Sequence, residues 1–165
     1  MLKKGQKPLL TIEEAYNFAL RKISYRDYSQ KDLEGKLRER NCPSDIIAQV
    51  VEKLKRYKYI NEEDYAKGVY RRWLEKSYYG KGHLRIELMK KKVQSDLIPG
   101  ILDSFSQETE EERALNFATT ALRRNKKKYG PENEKARGNM ARALATRGFN
   151  SDIIQKVLEK VGNED

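Results

Sequence analysis

Apolar residues recur along the chain at helical spacing, and they do so three times in the same order. Ser44-Asp45-Ile46-Ile47, Ser95-Asp96-Leu97-Ile98 and Ser151-Asp152-Ile153-Ile154 each open a segment that continues with Val50-Val51, Ile101-Leu102 or Val157-Leu158 and closes on Leu54, Phe105 or Val161. Positions i, i+1, i+4, i+5 and i+8 form a broad apolar stripe on a helix, and the Ser or Asp in front suits an N-cap that accepts from the first backbone N–H groups. The shared register predicts that Ile46, Leu97 and Ile153 are buried at equivalent places. Pro99-Gly100 falls early in the second of these helices, so that one is expected to be short or irregular.

The register extends upstream. Leu33 and Leu37 correspond to Leu84 and Leu88 and to Met140 and Leu144, a four-residue step along one helix face. Between this helix and the next lie Asn41, Lys92 and Gly148, where a helix commonly ends in the left-handed conformation that Gly and Asn tolerate and Lys does not favour. A further helix opens each copy. Thr11 with Glu14 and Thr109 with Glu112 have capping-box spacing, and Asn61 precedes Glu62, Glu63 and Asp64. Its apolar face is Ile12, Tyr16, Ala19, Leu20 and Ile23 in the first copy, Ala66, Val69, Tyr70 and Trp73 in the second, and Ala114, Phe117, Ala118 and Ala121 in the third. The expected fold is therefore all-α, three tandem three-helix repeats over residues 11–60, 61–108 and 109–165, the last with a short C-terminal tail, preceded by a basic tail over 1–10. Copies of about 50 residues bury too little alone and share faces with their neighbours, which predicts an elongated, curved array.

Charge adds a partner class to this picture. The 165 residues carry 35 Lys and Arg against 25 Asp and Glu, a net charge of +10, so a polyanion, usually nucleic acid, is the first partner to consider. The excess is unevenly spread: residues 1–60 hold 14 basic and 8 acidic residues, 61–108 hold 9 and 8, and 109–165 hold 12 and 9. A single cysteine, Cys42, gives no disulfide framework, and the only apolar run near the start is Leu9-Leu10, which points to the cytoplasm.

Catalytic chemistry is not legible. His83 is the only histidine and, with Cys42, cannot supply the usual ligand count of a His and Cys metal site. Gly80-Lys81-Gly82 lacks the spacing and the trailing Ser or Thr of a P-loop and reads as a turn. The acidic runs Glu13-Glu14, Glu62-Glu63 and Glu110 to Glu112 sit in first turns, where they complement the helix dipole. No enzyme, cofactor or metal is expected.

Three stretches carry a family resemblance. Tyr28-Ser29-Gln30-Lys31-Asp32-Leu33 continues through Lys36-Leu37-Arg38-Glu39-Arg40; Tyr59-Ile60-Asn61-Glu62-Glu63-Asp64-Tyr65-Ala66 follows; and Gly80 leads to Glu87-Leu88 with Lys91 and Val93. In order and spacing, with Arg147-Gly148-Phe149 in the third copy, these resemble the RecX family of RecA regulators over nearly the whole chain. His83-Leu84 replaces the family's usual Arg-Ile, and Lys92 stands where the family usually has Gly. The resemblance implies a monomer that binds RecA and its filament on single-stranded DNA and lowers RecA ATP hydrolysis, strand exchange and co-protease activity in DNA repair, recombination and the SOS response.

Candidate contacts to RecA or to DNA phosphates are Arg71 and Arg72, then Lys81, Arg85 and Lys90, Lys91 and Lys92, then Arg123, Arg124, Lys126, Lys127 and Lys128. Taken singly, each is more often a solvated residue, since basic residues on amphipathic helices normally face water. The competing assignment is a stand-alone, sequence-tolerant nucleic-acid-binding repeat protein in which Tyr57-Lys58-Tyr59 and Tyr78-Tyr79 stack on bases. Without RecA, DNA binding is expected to be weak and salt-sensitive.

Overall fold

The computed structural model describes residues 7–162. The expected N-terminal tail, apart from its last four residues, and the C-terminal tail beyond 162 lie outside the described residues. Ten helices and no strand occur among the described residues: α1 Ile12–Tyr25, α2 Gln30–Arg38, α3 Ser44–Arg56, α4 Glu62–Leu74, α5 Lys81–Lys90, α6 Ile98–Ser104, α7 Gln107–Arg124, α8 Lys126–Tyr129, α9 Glu134–Thr146 and α10 Ser151–Gly162. They form three three-helix repeats, with α8 an extra turn inserted into the third.

The middle helix of each repeat follows the apolar register closely. Leu33, Leu37, Leu84, Leu88, Met140 and Leu144 are at most 1% exposed, so each of these helices anchors its repeat through two side chains one turn apart. The junctions after them are left-handed at all three equivalent residues, Asn41 with φ 51°, Lys92 with φ 57° and Gly148 with φ 82°. Cys42 N–H donates to the Leu37 carbonyl at 3.2 Å and Phe149 N–H to the Leu144 carbonyl at 3.3 Å, closing the helix ends that the register places there.

Helix starts depart from the local pattern in three places. Ser106 rather than Thr109 caps α7, accepting from the Thr109 N–H at 3.1 Å, so the helix begins a turn earlier than the capping-box spacing predicts. Ser44 and Ser151 lie inside their helices: Pro43 precedes α3 without a side-chain cap, and Asn150 caps α10 through the Ile153 N–H at 2.9 Å. In the second repeat Ser95, Asp96 and Leu97 form a turn and α6 spans only 7 residues. Ile153 is fully buried, whereas Ile46 and Leu97 are half-buried and pass the core position to Ile47 and Ile98. The pair is apolar in all three copies, so a small rotation of the helix exchanges its members without burying a polar residue. Where the sequence agrees with itself, the caps match: Thr11 and Glu14 make a capping box on α1, and Asn61 Oδ1 accepts from the Glu63 and Asp64 N–H groups.

The chain divides into two compact units that do not coincide with the repeats. One runs up to Val69 and includes Met89–Leu97; the other comprises Tyr70–Leu88 and everything from Ile98 on. In the first, Ala15, Phe18 and Ala19 of α1, Leu33 and Leu37 of α2 and Ile47, Val50, Val51 and Leu54 of α3 make one core. In the second, Ala114, Phe117, Ala118 and Ala121 of α7 pack with Met140 and Leu144 of α9 and Ile153, Val157 and Val161 of α10. Trp73 also belongs to this unit, edge-on to Phe105 at 5.2 Å between ring centres, with its indole N–H donating to His83 Nδ1 at 2.9 Å.

Candidate functional site

Two first-turn glutamates reach beyond their own helices. By the register that aligns Ala15, Ala66 and Ala114, the position four residues earlier holds Thr11, Glu62 and Glu110. Thr11 caps its own helix. Glu62 Oε1 instead accepts from the Gln30 N–H at the start of α2, and Glu110 Oε1 accepts from the Lys81 N–H at the start of α5 at 2.7 Å. Each carboxylate thus serves an orphan donor on the middle helix of the preceding repeat, where the helix dipole favours negative charge.

Around Glu110 the packing is close. Gly80 N–H donates to the Arg147 carbonyl at 3.0 Å and Gly82 N–H to the Gly148 carbonyl at 2.9 Å. A Cβ on Gly80 would lie 2.6 Å from Glu110 Oε1 and from Phe149, and one on Gly148 would lie 2.1 Å from the His83 nitrogen. Glu110 is 1% exposed, and desolvation raises its pKa against the opposing pull of Lys81. The turn expected at Gly80-Lys81-Gly82 is instead a helix start, with Gly80 in front of α5 and Lys81 and Gly82 its first residues, and the two glycines admit the backbone of the α9–α10 junction. Nearby, Arg113 donates to the carbonyls of Leu74 at 2.7 Å and Lys76 at 2.9 Å and lies over the Trp73 and Phe105 rings, and burial lowers its pKa.

A cationic hollow lies in the first unit. Its volume is about 340 Å³, and it is lined by Arg26, Asp32, Tyr65, Lys90, Lys91 and Lys92. Asp32 organises it: Arg26 Nη2 donates to Oδ2 and Lys92 Nζ to Oδ1, each at 2.8 Å. Desolvation pushes the Asp32 carboxyl up, and the hydrogen bonds from Lys92 and Arg26 outweigh it, leaving its pKa below the usual aspartate value. The Arg26 guanidinium rests 3.6 Å over the Tyr28 ring, and the Tyr65 hydroxyl donates to the Lys91 carbonyl at 3.1 Å. Both cations beside Asp32 remain about half exposed, 52% for Arg26 and 46% for Lys92.

Of the residues singled out from sequence, the hollow unites Lys90, Lys91 and Lys92. Arg71 and Arg72 are exposed on α4, and Arg85 is exposed on α5. Lys81 is half-buried, and its backbone N–H meets Glu110. Arg123 and Arg124 end α7, while Lys126, Lys127 and Lys128 form α8; Lys126 pairs with Glu132 at 2.8 Å. Pattern reasoning missed Arg26, Asp32, Tyr65, Glu110 and Arg113. Glu110 left a signal: it lies four residues before Ala114 on an otherwise apolar face. Among the described residues, no group of three or more His, Cys, Asp or Glu could hold a metal ion, and no helix is long and apolar enough to cross a membrane.

Fold and surface together define a helical-repeat protein that carries a preformed cationic hollow. Family models described as the first and third three-helix domains of RecX match residues 15–54 and 108–158. The chain is 30% identical to the regulatory protein RecX of Mycolicibacterium smegmatis, over 97% of this chain and 86% of that protein. It is 28% identical to that of Bacillus subtilis over 93% of this chain, spanning 57% of that longer relative. The crystal structure of RecX from Lactobacillus salivarius superimposes with a TM-score of 0.79 at 25% identity, covering 91% of this chain and 96% of that one. The chain belongs to the RecX family of regulatory proteins.

Proposed function

We propose that this protein binds the RecA recombinase and its filament on single-stranded DNA, and that it negatively modulates RecA ATP hydrolysis, strand exchange and co-protease activity. It acts in the cytoplasm as a monomer without a cofactor. The observation that carries the proposal is the similarity to a regulatory protein RecX along 97% of the chain, which includes all three repeats. The basic residues are the contacts: Lys90 to Lys92 in the first unit, and Arg71, Arg72, Lys81, Arg85, Arg123, Arg124 and Lys126 to Lys128 in the second. They meet acidic RecA surface and DNA phosphates, where complementary charge sets encounter rate and orientation more than affinity.

The test is RecA ATP hydrolysis on single-stranded DNA, titrated with the full chain. Inhibition that saturates with protein concentration is expected. Hydrolysis that is unchanged at a large excess of the protein overturns the proposal. The organised hollow favours a second component, direct contact with DNA, which is weak and electrostatic because +10 is dispersed along the chain. A stand-alone nucleic-acid-binding protein would bind DNA tightly and leave RecA hydrolysis untouched once excess DNA is supplied.

A further inference from the structure

Lys92 occupies a backbone conformation that L-residues with a Cβ rarely adopt. Its φ is 57°, and the equivalent junctions hold Asn41 and Gly148, residue types that enter this region with little or no steric conflict. Lys58 shares the conformation, with φ 57°, so left-handed lysine alone explains nothing. The side chain makes the difference. Lys92 Nζ is held by Asp32 on the wall of a hollow that already contains Arg26, Lys90 and Lys91. At this junction a lysine stands at conformational cost, and its ammonium is held by Asp32 on a concave surface.

We propose that this hollow is an oxyanion site that takes a backbone phosphodiester of single-stranded nucleic acid. Four cations face one carboxylate. Asp32 spends one oxygen on each of Arg26 and Lys92, and the five N–H donors of an arginine and three of a lysine exceed what Asp32 and the Asp27 carbonyl accept. Asp32 fixes two cationic heads, the Tyr28 ring supports the Arg26 plane, and Tyr65 fastens the Lys91 backbone, so less order is lost when an anion arrives. Five of the six lining residues are charged and none is aliphatic. An acidic protein partner would need apolar anchors at such a centre, whereas a phosphate backbone needs only placed cations.

The assignment rests on the DNA contact in the function proposed above, and the test separates the two. The full chain is titrated against a fluorescent oligothymidine by anisotropy across a salt series, as wild type, Lys92→Gly, Arg26→Gln and Lys58→Gly. Glycine is the residue best suited to φ 57°, so both glycine variants keep the backbone while each removes one positive charge. Lys92→Gly and Arg26→Gln are expected to weaken binding on the order of fivefold at low salt and to flatten the plot of log affinity against log salt by about 0.7 each. Lys58→Gly is expected to stay within about twofold of wild type with the same slope, because it loses bulk charge and no phosphate contact. Equal losses for Lys92→Gly and Lys58→Gly would leave only dispersed charge and overturn the site, with DNA binding itself intact. A wild type that does not bind at low salt would overturn the site and the DNA component together. Undisturbed DNA binding by Lys92→Gly, with weakened RecA inhibition, would reassign the hollow to the protein partner and likewise overturn the proposal.

Discussion

The two carboxylate caps place one device in two environments. Glu62 serves α2 beside an open hollow of about 630 Å³ that it shares with Lys55, Lys58, Asn61 and Asp96, among others. Glu110 serves α5 while enclosed by the glycine backbone of Gly80 and Gly148 and by the Phe149 ring. Both satisfy a helix N-terminus across a repeat boundary. They differ in overall burial: Glu110 is 1% exposed, whereas Glu62 is half-buried, with its Oε2 enclosed and without a hydrogen-bond partner. What the two arrangements share is a carboxylate acceptor at that N–H.

The sharpest way to break the comparison is to open the closed side. Gly148→Ala adds a Cβ that would lie 2.1 Å from the His83 nitrogen, at a backbone φ of 82°. A loss of about 3 kcal/mol is expected, a drop of roughly 6–12 °C in thermal midpoint. Asn41→Ala at the equivalent junction, φ 51°, should cost only about 1 kcal/mol. Equal losses in thermal unfolding would show that the enclosure around Glu110 adds nothing.

Next come the acceptors themselves. Glu110→Ala leaves the Lys81 N–H buried without a partner and should cost about 2 kcal/mol, whereas Glu62→Ala should cost about 0.5–1 kcal/mol because it also removes a buried Oε2 that has no hydrogen-bond partner. Urea unfolding of both variants measures the difference.

Glu110→Gln keeps an acceptor and removes the charge, which isolates the pH term. The folded pKa of Glu110 is raised above the ordinary 4.5, so just above that value the folded protein holds a proton the unfolded chain has lost. Stability from this group is greatest below the unfolded pKa and falls as pH rises to the folded pKa, since stability declines wherever the native state binds more protons. Relative to wild type, Glu110→Gln should therefore gain stability between pH 4 and pH 7, as read by urea unfolding at the two pH values. A constant difference would mean that the carboxylate titrates normally. The smallest effect is expected from Lys58→Gly, which relieves a left-handed lysine on the open side and should raise stability by about 0.5 kcal/mol, net of the unfolded-state entropy of glycine.

The periodicity of apolar side chains made the middle helices and their junctions legible, because Leu33 and Leu37, and their equivalents, have to face a core whatever surrounds them. Repetition carried Lys92 into the left-handed class against its own propensity. Helix starts were less legible: Thr109 and Ser44 have capping side chains, but Ser106 and Pro43 stand in front of the helices, and nothing local chooses between neighbouring caps. The candidate site was legible in part. Lys90 to Lys92 is a visible run, but Arg26 and Asp32 join it through tertiary packing. An acid in a first turn looks the same whether it faces water or another helix, which hid Glu110 behind the general preference for negative charge there.

The interleaving of the two compact units has a consequence for the order of synthesis. The first unit is complete only when Leu97 has been made, since Met89–Leu97 belongs to it. By then the ribosome has already produced Tyr70–Leu88, whose partners Phe105, Glu110, Arg113, Phe117, Arg147 and Gly148 are still to come. At about 5–20 residues per second, several seconds separate Trp73 and the Lys81 N–H from Glu110, Gly148 and Val161. During that interval the nascent chain holds a finished body interrupted by an unfinished inserted segment, Tyr70–Leu88, with apolar side chains unshielded. The middle of this protein is therefore where a chaperone would have to act, and where a translational pause after residue 97 would be most hazardous.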